Sequence, residues 1–516
     1  MTPPVLPREP LHGPPLFLLT LALGLGTFMQ VLDTSIANVS LPAIAGDLAV
    51  SPDQGTWVIT SFAVSNAIAL PLTGWLSRRF GEARLFVIST LLFTVASWLC
   101  GLAPNLPMLI AFRVLQGAVA GPMIPLSQSL LLGNYPPEKK GLALALWSMT
   151  VIIAPIMGPI LGGWITDNIN WPWIFYINIP VGVLSSFLTW QILKTRDSER
   201  HIVPIDRIGL ALLVIGIGTL QILLDKGNEL DWFESQTIVM LGITSLVALT
   251  FFIAWELTDA HPVVDLHLFG RRNFLVGTLV LSFGYLVFFG NVVLLPLWLQ
   301  INMGYTATWA GLAAAPIGIL PVFLAPFVGK NMNKLDLRVW ASCSFAIFAA
   351  VSLWNSHFNT DVSIGQIVMP RLLMGFGVAA FFVPLTSLTL SDLPPQMMAS
   401  ATGLSNFSRI LAGSFGTSLS ITLWDRRTSY YHSVLAEHIS PFNPVSVDAF
   451  DALRALSPSV STDASLIERT LNQQAVMLAT NEMFWLSGIF FASLALLVWL
   501  ARPPRRGPGI APSGAH

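Results

Sequence analysis

The chain has 516 residues, of which 54% are apolar and only 10% are Asp, Glu, Lys or Arg. A soluble domain carries roughly 25% charged residues, so this chain cannot coat a water-exposed surface, and lipid must be the solvent for most of it. With 26 basic against 27 acidic residues the net charge is −1. That leaves no basic excess to neutralise phosphates and excludes nucleic acid as a partner.

The N-terminus has no basic stretch followed by a short apolar run and a small-residue cleavage site, and its first apolar segment continues past Leu32. It is therefore expected to be a retained first span rather than a signal peptide. An apolar run of about 20 residues crosses the hydrocarbon core as a helix. Fourteen such runs are expected, near 15–38, 54–77, 85–104, 107–132, 141–165, 173–193, 207–225, 236–257, 274–299, 309–330, 337–356, 363–391, 399–424 and 481–501. The runs are long and uninterrupted rather than alternating ten-residue segments, which disfavours a β-barrel. The predicted fold class is an all-α membrane protein.

Lys and Arg in the connecting segments set the orientation. With the N-terminus cytoplasmic, 18 of the 26 basic residues fall inside, including Arg78, Arg79, Arg84, Lys139, Lys140, Lys194 and Arg196, against five outside and three within spans. Both termini are thus expected to be cytoplasmic. The basic-free turn near Pro394 and the outside pair Arg426 and Arg427 run against the rule without reversing it. The outside segment 425–480 reads as the one long loop, with 462–480 a candidate amphipathic helix.

Transporters often carry repeated halves. Arg113, Pro136 and Gly158 recur as Arg371, Pro394 and Gly416, each 258 residues later. A weaker match sets Trp57, Pro71, Gly74 and Arg84 against Trp309, Pro326, Gly329 and Arg338. The predicted organisation is an N-terminal six-helix bundle over 1–200, two inserted transmembrane helices over 201–270, and a C-terminal six-helix bundle over 271–516 carrying the 425–480 loop. Two such halves predict a cavity at the bilayer midplane, opened alternately to each side.

Ionisable groups inside spans are costly, so each is a functional candidate. Asp33 is the one carboxylate placed well inside a span. Low dielectric disfavours an ionised carboxylate and a nearby guanidinium favours it, so movement between those environments loads and releases a proton. The alternative is a fixed Asp33–Arg113 bridge that only holds spans one and four together. Arg371 and Arg409 have no carboxylate in the C-terminal spans to pair with and read as structural anchors. Gly158-Pro159 and Gly162-Gly163 combine a helix-interior proline with glycines that permit close packing, so they read as a hinge or cavity seal, or as ordinary small-residue packing. Gln30, Asn66, Gln116, Gln128, Asn178 and Asn291, with Trp147, Phe288 and Phe381, are candidates to line a substrate cavity.

Cys100 and Cys343 lie in apolar runs, and the eight histidines show no metal-ligand spacing, so no disulfide, metal or cofactor is expected. No nucleophile–base–metal constellation and no phosphate-cradling Gly-rich loop appears, which argues against an enzyme and against ATP as the energy source. One charge crossing 100 mV yields roughly 2.3 kcal/mol, so the proton gradient is the expected drive.

Several strings carry a family resemblance: Phe28-Met29-Gln30-Val31-Leu32-Asp33, Gln54-Gly55-Thr56-Trp57, Arg113-Val114-Leu115-Gln116-Gly117, Gly158-Pro159-Ile160-Leu161-Gly162-Gly163 and Trp173-Ile174-Phe175-Tyr176-Ile177-Asn178. At these residues the chain resembles the major facilitator superfamily, specifically its fourteen-span drug:proton antiporters. The resemblance implies export of hydrophobic toxic compounds against inward proton flow. Asp33 and Arg113 then match the family's span-one acid and span-four arginine, and Gly158 and Pro159 its cavity-sealing motif. It further implies residence in a bacterial inner membrane, with a periplasmic membrane-fusion adaptor and an outer-membrane channel as partners in a three-part pump. Export of a physiological amphiphile such as a fatty acid or bile salt is the alternative cargo, and nutrient symport a further rival. One departure stands out: the family's loop between spans two and three carries an acid where this chain has Arg78 and a basic residue where it has Glu82. Pro172 likewise stands between two tryptophans where the family often has Arg.

Overall fold

A computed structural model describes residues 9–198, 204, 206–259, 262–305, 307–332, 334–439 and 460–503. Helices dominate because lipid leaves backbone groups no partner except one another. We number them α1 (Pro14–Asp47), α2 (Trp57–Ala69), α3 (Thr73–Phe80), α4 (Glu82–Gly101), α5 (Leu106–Ala120), α6 (Met123–Asn134), α7 (Lys140–Asn168) and α8 (Asn178–Leu193) in the N-terminal half. The inserted pair is α9 (Arg207–Lys226) and α10 (Gln236–Thr258). The C-terminal half holds α11 (Arg272–Ile301), α12 (Ile319–Asn331), α13 (Leu337–Asn355), α14 (Ile364–Leu390), α15 (Met398–Glu437) and α16 (Val460–Leu497). Short helical turns at Trp173–Tyr176 and Ala307–Ala314 lead into α8 and α12.

Polar caps fix several boundaries. The Asn105 side chain accepts from Met108 N–H at the start of α5, Asp206 from the first turn of α9, and Asp336 from Arg338 N–H at α13. Ser363 and Gln366 form a reciprocal capping box at α14, satisfying donors that would otherwise be orphaned. Between α3 and α4 the chain turns at Gly81, whose φ of 88° suits a residue without Cβ.

Among the described residues, eleven helices are long and apolar enough to cross a membrane, or up to 13 if each of two bent pairs is one span. The expected fourteen therefore does not emerge from length and composition alone. The span expected at 399–424 lies within α15, which is outside that set. It carries Asn406 and Arg409, buried against other protein rather than lipid. A second correction concerns 425–480, predicted as a loop. There α15 continues to Glu437, and α16 begins at Val460 and runs unbroken through the predicted amphipathic stretch to Leu497. Residues 440–459 lie outside the described residues.

The two halves repeat one packing relation. Gly158 of α7 sits against Ser35 of α1, so close that a Cβ would strike it, and Gly416 of α15 sits equally close on the Leu286 carbonyl of α11. Glycines 258 residues apart thus seat the fifth span of each half on the first.

The halves meet at the end of the molecule where Leu11 and Arg502, near the two ends of the described chain, lie. There Gly141 of α7 abuts the Gly329 carbonyl and Met332, and Gly74 of α3 abuts Ser400 of α15, each leaving no room for a Cβ. Arg78 Nη1 donates to Ser400 Oγ at 3.3 Å across the same seam. At the opposite end the inserted helix α9 lies between the halves. Lys226 Nζ donates to Thr56 Oγ1 at 2.6 Å beside α2, while Ser418 Oγ of α15 donates to the Leu224 carbonyl at 2.7 Å. The Trp232 indole donates to Thr422 Oγ1 at 2.8 Å on the same helix. Through α9 and the turn that follows it, the inserted segment therefore touches both halves.

Candidate functional site

Midway along α1, Asp33 is fully buried, and two helices, α5 and α8, supply donors to its carboxylate. Arg113 of α5 donates through Nη1 to Oδ2 at 2.6 Å. Gln116, one turn further along α5, donates through Nε2 to Oδ1 at 3.0 Å, and Asn178 of α8 donates through Nδ2 to the same oxygen at 2.8 Å. Ser97 of α4 supports both amides, its Oγ lying 2.7 Å from Gln116 Nε2 and 3.2 Å from Asn178 Nδ2.

Arg113 is itself held on every side. Its Nε donates to the Val58 carbonyl of α2 at 3.0 Å, and Nη1 also reaches Gln116 Oε1 at 2.6 Å. Its guanidinium lies 4.3 Å from the Phe62 ring centroid and 5.6 Å from that of Phe175, stacking that suits a planar cation away from water. The arrangement replaces the hydration shell of a carboxylate with three directed donors and one full opposite charge. One hydrogen-bond network around the carboxylate thereby links α1, α2, α4, α5 and α8.

Two residues read from sequence as cavity lining, Gln116 and Asn178, donate to Asp33 in this structure. Ser97 was not singled out, because one serine in the apolar run of α4 carries no distinguishing signal. Of the remaining cavity candidates, Gln128 and Trp147 border a cavity of about 10 Å³ between the halves, shared with Asn406 and Arg409. That is near the smallest volume that admits one water. Asn66 donates to the Gly117 carbonyl at 3.4 Å, joining α2 to α5. Gln30 is buried in α1, and Asn291 of α11 accepts from Ser487 of α16 at 3.2 Å. Phe288 and Phe381 belong to an aromatic cluster with Phe348 inside the C-terminal half.

The seal candidates divide. Gly158 and Gly162 face Ser35 and Ile36 of α1, while Gly163 has open space where a Cβ would stand. Pro159 lies within α7, and its side chain falls outside the described residues. In the altered loop, Glu82 accepts from Ser129 at 2.9 Å, and it is Asp197, after α8, that caps α4 by accepting from Ala83 N–H at 2.9 Å. Pro172 opens the short Trp173–Tyr176 helix, next to Trp171, whose indole donates to Asp47 at 2.7 Å.

The C-terminal half lacks a counterpart to the carboxylate. Two residues before its packed residue Leu286, as Asp33 stands two before Ser35, it has Gly284, and the Phe381 and Phe345 rings fill the space a side chain would need. Arg371, the repeat of Arg113, is left buried with Nε and Nη2 unbonded among the described residues. No cluster of His, Cys, Asp or Glu able to hold a metal occurs among the described residues.

The chain is 52% identical over 510 residues to the multidrug export protein EmrB of Escherichia coli, covering 99% of each. It is 51% identical to the fatty acid resistance protein FarB of Neisseria gonorrhoeae over 97% of this chain and 99% of that one. Among solved structures it is similar to the proton:xylose symporter XylE, with a TM-score of 0.61, 15% identity and coverage of 94% and 95%, a likeness of fold alone. The Major Facilitator Superfamily pattern matches residues 23–417. The paired halves, the many apolar helices and these matches place this multi-pass membrane chain in the major facilitator superfamily.

Proposed function

We propose that the protein is a proton-coupled multidrug efflux antiporter, exporting hydrophobic compounds by alternating access between its two halves. The observation that carries this reading is the buried Asp33 carboxylate, bound by Arg113, Gln116 and Asn178, in a chain 52% identical to a named multidrug export protein. An ionisable group so placed inside a membrane bundle marks a proton or ion path. In this mechanism Asp33 takes a proton from the outer side, its grip on Arg113 loosens, and α1 and α5 shift against the second half. Deprotonation toward the cytoplasm restores the bridge. Both termini then face the cytoplasm of a bacterial inner membrane, and the closed end at Gly141–Gly329 and Gly74–Ser400 is the cytoplasmic one.

The partners in this reading are a periplasmic membrane-fusion adaptor and, through it, an outer-membrane channel. Support for the adaptor contact comes from the extended ends of α15 and α16, where Leu435, Ile439, Leu466 and Leu471 line an apolar groove remote from the closed end. A second cargo reading, export of fatty acids or similar amphiphiles, is favoured by the 51% identity to FarB. Proteoliposomes with an imposed pH gradient and a panel of lipophilic dyes and fatty acids test the proposal. Gradient-dependent dye movement that collapses with a protonophore is expected, and gradient-independent movement contradicts it.

A further inference from the structure

Arg409 of α15 is 3% exposed and lies where the two halves meet. Its Nη2 donates to Asn406 Oδ1 at 2.7 Å, whereas its Nε has no partner among the described residues. The guanidinium rests 4.7 Å from the Tyr285 ring centroid and 5.6 Å from that of Phe382. No ion pair to Arg409 is found among the described residues. It borders the small cavity together with Gln128, Trp147, Thr402 and Ser405.

A guanidinium offers five N–H donors in a fork matched to carboxylate and related anions. Burying one with a neutral amide as its hydrogen-bonding acceptor is costly. Arg113, by contrast, has a carboxylate partner in Asp33. At Arg409 the charge is instead left facing the seam, with aromatic rings along one side and polar side chains along the other. The seam is closed there by a hydrogen bond from Asn406 to Gln128 of the opposite half at 2.9 Å. Parting the halves breaks that bond and opens the space beside the guanidinium. Since the Asp33–Arg113 pair is neutral as a unit, Arg409 gives the seam a net positive charge.

We propose that Arg409 is a specificity-determining residue that recognises the anionic head of an amphiphilic substrate, such as a fatty carboxylate or a lipophilic weak acid. Tyr285 and Phe382 take its apolar part. The inference rests on the efflux reading above and narrows it: anions are bound in preference to neutral analogues, and lipophilic cations are disfavoured. It also gives Gln128 and Asn406 a role, since both hold the guanidinium side of the seam closed until the halves separate.

The test uses the full chain in nanodiscs at pH 8, with a fluorescent fatty carboxylate and its methyl ester as paired probes, corrected for binding to empty discs. The wild type is expected to bind the carboxylate about tenfold more tightly than the ester, the scale of one charge-assisted bidentate contact. Arg409→Gln should bring the two to within about twofold, and Arg409→Lys, which keeps the charge but loses the fork and the ring stacking, should retain only part of the preference. Gln128→Glu, which places a carboxylate across the seam from Arg409, should abolish the preference with Arg409 still present. An unchanged preference in both Arg409→Gln and Gln128→Glu, or none in the wild type, overturns the assignment. Gradient-driven export of the ester by the wild type separates the two levels. Ester export without carboxylate preference overturns only the role of Arg409, whereas no gradient-driven export of either probe overturns the efflux reading beneath it.

Discussion

Arg113 Nη1 stands 2.6 Å from Asp33 Oδ2, with the two side chains 1% and 0% exposed, so a full ion pair is enclosed within the N-terminal half. Desolvating two charges is expensive, and their attraction is worth having only while both are present. Arg113→Ala therefore leaves a naked carboxylate and is expected to cost about 3–5 kcal/mol, read as a lowered unfolding temperature in detergent. Adding Asp33→Asn to that variant should recover a large part of the loss. Strict additivity of the two substitutions would mean that the pair is not coupled.

Gln116 and Asn178 spend their amide donors on the same carboxylate. Replacing either by Leu should cost about 1.5–3 kcal/mol, the range for hydrogen bonds to a charged group. In an Asp33→Asn background each replacement should cost less than half as much. Equal costs in both backgrounds would place these amides in ordinary interhelical packing. The same substitutions should slow transport, because the donors hold the ionised state that the cycle must regain.

Closure at the terminal end depends on backbone-to-backbone approach at Gly141 and Gly329. Gly141→Leu introduces atoms where the Gly329 carbonyl and Met332 now lie, so it should hold the halves apart there and block the cycle. A Ser400→Cys reporter in a Cys343→Ser background reads this directly, because Cys100 is buried and Cys343 is the exposed thiol. Labelling of the reporter by a membrane-impermeant thiol reagent from the cytoplasmic side should rise several-fold with Gly141→Leu, and unchanged labelling would refute the closure.

The apolar groove between the outer ends of α15 and α16 tests the partner assignment. Leu435→Asp combined with Leu466→Asp places two charges on it and should prevent co-purification with the adaptor. Dye export in vesicles, which needs no adaptor, should persist. Retained co-purification would move the adaptor contact elsewhere on the chain.

Much of this site was legible in the sequence because charge inside an apolar run is conspicuous. Asp33 and Arg113 stood out for that reason, and the 258-residue spacing of Gly158 and Gly416 marked two halves that do pack alike. What a polar side chain faces was not legible. Gln116 and Asn178 looked like cavity lining because a span position says nothing of rotation, and only the packing of α5 and α8 on α1 directs them to Asp33. In the segment 425–480 the helix expected at 462–480 is present within α16, whereas the continuation of α15 to Glu437 was not legible, because polarity excludes a membrane span but not a helix. Similarly, α15 is too polar to meet a hydropathy test since it faces protein at the seam, where Arg409 and Asn406 are buried.

Whether the Asp33 proton drives export is read most directly from proton movement coupled to drug movement in proteoliposomes holding the wild type or Asp33→Asn. With an imposed pH gradient the wild type should accumulate a lipophilic dye and release protons to the opposite compartment on dye addition. Asp33→Asn should insert, purify as a folded chain and bind dye, yet show neither gradient-driven accumulation nor dye-induced proton flux, while Asp33→Glu retains some of both. Normal gradient-dependent export by the Asp33→Asn protein would contradict the account.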